Sequence, residues 1–267
     1  MTTTADPNEF RMGLMDHLRE LRRRLLICLL VVLVGAVASY SYAAILFDVL
    51  CKPFFAAFPG SPLIGTAPAE AWFLKLKVSA FAGTIVTAPI LFYQLWRFIS
   101  PGLYHREKSY VIPFVFLSTL LFCLGAYFCY AMVLPLSLAF FFEEFRSIGV
   151  TPTIKLSDHL SMTVTTILAF GLVFELPLLS LFLARAGVLT HKTLLHYFRH
   201  AIVAIFVIAA VLTPPDVLSQ LLMAGPLIVL FLISIAVAYI ATPRTALIPD
   251  SDGSALIQGD PPAGRLV

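Results

Sequence analysis

Between residues 217 and 240 the chain carries no charged side chain. About 24 residues of helix are roughly 36 Å long, enough to cross the ~30 Å hydrocarbon core of a bilayer. Four other segments have a similar apolar character: 25–50, 72–95, 110–142 and 160–183. The composition agrees, with 60% of the 267 residues hydrophobic and 12% charged. A soluble domain of this size has no interior large enough to hide that much apolar surface. A soluble single-core enzyme, a disordered protein and a disulfide scaffold are therefore excluded. The net charge of +3 is too small to argue for nucleic acid, and the placement of the charges matters more than their sum.

One further apolar segment, 201–212, is only about 18 Å long as a helix. It ends at Thr213-Pro214-Pro215-Asp216, where two adjacent prolines and an acid break helical structure. The expectation is an all-α membrane protein of six transmembrane helices with a short fifth helix. An even number of spans puts both termini on one side. About 13 of the 18 Lys and Arg residues then share that side, in the N-terminal arm, the second-to-third loop, the fourth-to-fifth loop and the tail. Lys52, Lys75, Lys77, Arg146 and Lys155 fall on the other. The asymmetry predicts an N-in, C-in protein of the cytoplasmic membrane. The expected organisation is a cytoplasmic arm at 1–24, a transmembrane domain at 25–240 and a disordered cytoplasmic tail at 241–267, rich in Pro, Gly, Asp and Ser. Arg22-Arg23-Arg24 before an apolar run has the flavour of a signal peptide, but the run is too long for one. Pro113 and Pro135 predict a kinked or tilted third span.

In the arm, Leu14, Leu18, Leu21 and Leu25 recur at helical spacing. They predict an amphipathic interfacial helix whose polar face holds Asp16, Glu20 and arginines. Glu20 neutralised by Arg24 at i+4 is the simpler reading of that acid, and a functional acid is the alternative. In the second-to-third loop, Pro101-Gly102 ends a helix and Glu107 stands between Arg106 and Lys108. Trp96, Phe98, Tyr104 and Tyr110 read as interfacial anchors. Glu175 lies deep in an apolar segment, where a carboxylate is costly and faces a cavity or a partner; Pro177 weakens the helix beside it. Asp216 reads as a helix cap with Gln220 one turn on, and Glu70 as an acid in the first turn of the second span. Cys28, Cys51, Cys123 and Cys129 read as small apolar fillers. His196 and His200 read as interfacial, with no carboxylate to complete a metal set; no metal or cofactor is expected. Nucleotide-binding, zinc-protease and hydrolase-elbow motifs are absent from the sequence.

Five segments, in this order, resemble the TatC family of the twin-arginine protein translocase. They are HLRELRRR at 17–24, TAPAEAWFLKLK from Thr66, YQLWRFISPGLYHREK from Tyr93, FELP from Phe174 and LTPPDVLSQ from Leu212. The resemblance covers roughly residues 12–240. It implies a six-helix receptor that recognises paired-arginine signal peptides and works with single-span TatA-like and TatB-like partners in an oligomeric complex. Folded proteins then cross on the proton-motive force. Carried onto this chain, Glu20 and Glu107 would receive the two signal arginines, with His17, Leu21, Arg22, Arg24, Pro101 and Tyr104 in the same patch. Glu175 and Gln220 would be the polar groups inside the membrane, and Pro214, Pro215 and Asp216 the periplasmic hairpin. Membrane lipid is the expected surrounding partner and nucleic acid is not expected. A competing expectation is an ion-coupled small-molecule transporter centred on Glu175; the lack of an internal repeat weighs against it.

Overall fold

The structure, a computed structural model, describes residues 7–99, 111–212 and 217–241, giving only the backbone at 7–14, 218 and 219. Helix α1 runs unbroken from Pro7 to Tyr40. No glycine or proline occurs at 14–34 to interrupt it. Two expectations are corrected here. The arm is not a helix apart from the first span, because nothing in its sequence ends the helix before the apolar run. Nor is 25–50 one straight span: Ser41 and Tyr42 form a turn, where the Tyr42 amide donates to the Ser39 carbonyl at 3.0 Å. The next helix, α2 (Ala43–Ala57), sets off at 90°. It buries Leu50, Cys51 and Phe54.

A two-residue strand β1 (Leu63–Ile64) leads to α3 (Glu70–Ile99). The third span is α4 (Val111–Phe128), a π-helical turn at Cys129–Val133, and α5 (Leu134–Ser147). Pro135, in the first turn of α5, has no N–H to donate and crowds the carbonyl four residues before it. One wider turn accommodates both defects. Strand β2 (Ile154–Lys155) pairs in parallel with β1 and enters α6 (Leu156–Val173). After Phe174 and Glu175 the chain resumes as α7 (Leu176–Arg185), with Pro177 in its first turn. Helix α8 (His191–His196) precedes α9 (Phe198–Leu212) and α10 (Val217–Ala241). The 15 residues of α9 make it about 22 Å long, so the expected shortness stands although the helix starts three residues earlier. Four described helical segments are long and apolar enough to cross a membrane, and the bent pair α1–α2 makes five.

Helices α1 and α3 pack backbone against backbone. A Cβ placed on Gly83 would lie 2.4 Å from the Ala36 nitrogen and 2.7 Å from the Gly35 carbonyl carbon, so the two backbones touch. Small residues at such crossings are the usual means of helix association in lipid. At the end of the bundle opposite the arm, Glu70 binds the loop before α3 to the start of α6. Its Oε2 accepts from the Thr66 amide at 2.6 Å and the Ala67 amide at 3.2 Å, and its Oε1 from the Ser157 amide at 3.0 Å. Glu70 thus begins α3, as expected, and also caps α6, which the sequence did not reveal. Cys51 and Cys129 are buried as fillers, but Cys123 is exposed on the outer surface of α4 and fills no gap. Residues 242–267 lie outside the described residues.

The Gly35–Gly83 contact predicts that Gly83→Val forces the helices apart and costs roughly 1–3 kcal/mol. Gly225, with nothing within 4 Å of an added Cβ, is the control: Gly225→Ala should be neutral or stabilising. Thermal unfolding of the purified variants in detergent checks both.

Candidate functional site

The arm face of α1 meets the end of α3. Arg24 reaches back one turn and donates through Nε to Glu20 Oε1 at 3.1 Å and through Nη2 to the same oxygen. Its Nη1 turns to Gln94, 3.4 Å from the side-chain oxygen and 3.5 Å from the backbone carbonyl. Arg24 is nearly withdrawn from water, with 13% of its side chain exposed, whereas Glu20 keeps 38%. Glu20 precedes the apolar run that starts at Leu25. The hydrogen bond from Arg24 holds its carboxyl below the usual carboxylate range. Glu20, Arg23, Arg24, Ile27, Gln94 and Arg97 line a recess of about 190 Å³. At its edge the Arg97 guanidinium donates to the Tyr93 hydroxyl at 3.2 Å. Nearby, His17 stacks on Phe98 with ring centroids 4.4 Å apart.

The structure therefore brings together Glu20, Arg24 and His17 with α3. Leu21 is exposed, and Arg22 instead lines a neighbouring groove with Arg19, Arg23 and Leu26. Pro101, Tyr104 and Glu107 lie outside the described residues, as do Pro214, Pro215 and Asp216. The last described residue of α3, Ile99, follows the Phe98 ring that carries His17. Gln94 and Arg97 belong to the recess and were missed in the sequence. A glutamine among the last apolar turns of a span was the available signal, since an uncharged amide there needs a partner.

Glu175 sits at the break between α6 and α7. Its amide donates to the Leu172 carbonyl at 3.1 Å, and its carbonyl accepts from the Leu179 amide at 2.8 Å. Its Oε1 is buried without a hydrogen-bond partner, and Ser118 of α4 faces the carboxyl. The Ser118 oxygen in turn accepts from Trp96 Nε1 at 2.7 Å. Trp96 is thus no interfacial anchor: it is 5% exposed and packs against Phe114 and Phe182 at 4.9 and 5.0 Å. The reason is that its N–H finds a partner inside the bundle, so the ring need not stay at the wet boundary. Gln220 donates through Nε2 to the Phe206 carbonyl at 2.8 Å and ties α10 to α9.

Residues 16–226 match the family model of TatC, the Sec-independent protein translocase protein. The chain belongs to the TatC family. The TatC protein of Aquifex aeolicus is 40% identical over 232 residues, which span 86% of this chain and 96% of that one. That of Desulforapulum autotrophicum is 43% identical over 221 residues, 82% of each. A crystal structure of the twin arginine translocase receptor TatC superposes with a TM-score of 0.78 at 40% identity, covering 85% of this chain and 100% of that one. TatC membership makes the chain a multi-pass component of a protein translocase rather than an enzyme, and it removes the small-molecule carrier reading.

The Trp96–Ser118 bond predicts a measurable coupling. Ser118→Val leaves a buried indole N–H without an acceptor and should cost roughly 1–3 kcal/mol. In Trp96→Phe, Ser118→Val the donor is gone too, so the double variant should lose less than the two single changes together. Additive losses in thermal unfolding would show that the bond contributes nothing.

Proposed function

We propose that this chain is the receptor and scaffold of a twin-arginine translocase in the cytoplasmic membrane. Six spans, α1, α3, α4–α5, α6–α7, α9 and α10, place both termini in the cytoplasm. Glu20 and Glu107 receive the two signal arginines at the cytoplasmic face, with Pro101 and Tyr104 shaping the loop that carries Glu107. The observation that carries this reading is the half-exposed Glu20 at the lip of a recess whose other wall is α3. Arg24 keeps that carboxylate ionised and oriented. An incoming guanidinium must compete with Arg24, and its planar two-pronged fork does so where a lysine ammonium does not. The surrounding arginines repel cations that lack the matched pair, which favours selectivity over bare affinity. The apolar part of the signal lies along the leucines of α1, which are exposed from Leu25 to Leu33.

TatA-like and TatB-like single-span partners dock where α9 is too short for the bilayer and thins or bares it. Glu175 and Gln220 are the polar groups available to them within the membrane. Pro214, Pro215 and Asp216 belong to the periplasmic hairpin. The complex is oligomeric, and transport of folded cargo draws on the proton-motive force.

Orientation is tested by cysteine labelling from outside intact cells. Probes at Pro59 and Gly149 should react and probes at Gly13 and Gly253 should not; labelling at Gly253 would overturn the even span count.

Recognition is tested by titrating a twin-arginine peptide and its twin-lysine control into the purified protein. Glu20→Ala or Glu107→Ala should each weaken the twin-arginine peptide by roughly tenfold or more and change the twin-lysine peptide much less. The two losses should be less than additive if one ligand spans both acids. Unchanged affinity in the Glu20→Ala, Glu107→Ala variant would discard the site.

A further inference from the structure

At the end of the bundle opposite the arm, a cavity of about 660 Å³ opens between α5, α6 and α9. Leu138, Phe141 and Phe145 of α5 line one side and Val211 and Leu212 of α9 another. The volume falls within the ~300–1,000 Å³ of small-molecule sites. Its floor is apolar, formed by the buried Phe58 and Leu138, and Val211 stands at its exposed rim. Its polar groups lie along α6. His159 lines the cavity, is 5% exposed, and its buried Nε2 has no hydrogen-bond partner. A buried imidazole nitrogen without a partner costs free energy that a ligand atom would recover.

The mouth carries one charge of each sign. Asp158 is exposed there. Lys77 of α3 donates to the Ser161 hydroxyl oxygen at 2.6 Å, which stations its ammonium beside the opening with two further N–H groups to offer. The Ser161 hydroxyl in turn donates a hydrogen bond to the Ser157 carbonyl. From Asp158 to Thr165 the lining runs about 10 Å along α6.

We propose that this cavity is a binding site for one zwitterionic phospholipid with a primary ammonium headgroup. The ammonium meets Asp158 and the phosphate meets Lys77. An ester carbonyl accepts from His159 Nε2–H, and an acyl chain occupies the apolar floor. The paired opposite charges select this occupant: an anionic headgroup would leave Asp158 facing like charge, and a quaternary ammonium has no N–H to donate to it.

The test uses the full chain, stripped of lipid in detergent and titrated with dioleoylphosphatidylethanolamine, dioleoylphosphatidylcholine or dioleoylphosphatidylglycerol under native mass spectrometry. One phosphatidylethanolamine should bind saturably, roughly tenfold or more tighter than either other lipid. Thr165→Trp, which puts an indole across the cavity from its exposed side, should abolish that binding. The surface double variant Lys77→Gln, Asp158→Asn does not touch the floor and carries the test if Thr165→Trp fails to fold; it should erase the preference among headgroups. Equal affinity for the three lipids, tighter phosphatidylglycerol, or retained preference in the double variant would each overturn the proposal. A photo-crosslinker at Met162 that captures protein instead of lipid in native membranes would overturn it as well.

Discussion

Inside hydrocarbon every backbone N–H and C=O must find its partner within the protein, and the shape of this bundle follows from that constraint. Among the described residues, three places in the apolar segments depart from straight α-helix. At Ser41 and Tyr42 the chain turns through 90°, and the Tyr42 amide still closes a bond to Ser39. At Cys129–Val133 a wider turn absorbs Pro135. At Phe174 and Glu175 the helix restarts ahead of Pro177, with the Glu175 amide and carbonyl both bonded. In each case the defect is repaired locally, so a kink costs little and a polar side chain can be set at the bend.

That is why Glu175 is tolerated where it stands. Its backbone is satisfied by neighbouring turns, and its carboxyl faces Ser118, which is already held by Trp96. At the two ends of the bundle, acids do different work. Glu70 accepts from the amides of the loop before α3 and of the first turn of α6 and locks the β1–β2 end. Glu20 is bound on one side by Arg24 and open on the other. The first is used up by the fold; the second leaves part of its surface to a ligand.

The sequence carried much of this. Long apolar runs forced a membrane protein, because their burial could not be met in water, and the Pro-Pro pair foretold the shortness of α9. The spacing of Glu20 and Arg24 at i, i+4 named their pairing without a structure, since helical geometry alone makes them neighbours. The order of five motifs sufficed to point at the TatC family.

Other features were decided only in three dimensions. Trp96 read as an anchor because tryptophan favours the membrane boundary, yet Ser118, 22 residues on, supplies a buried acceptor that no local pattern discloses. Gln94 joined the recess only once α1 lay against α3, 70 residues from Arg24. The Glu70 cap on Ser157 spans 87 residues. The unbroken passage from arm to span and the sharp turn at Ser41 were also missed, because hydropathy measures how apolar a segment is and not where its axis changes. Periodicity and hydropathy are local sums along the chain. Which polar atoms end up facing each other is set by helix packing, and that depends on contacts such as Gly35 on Gly83 between residues far apart in sequence.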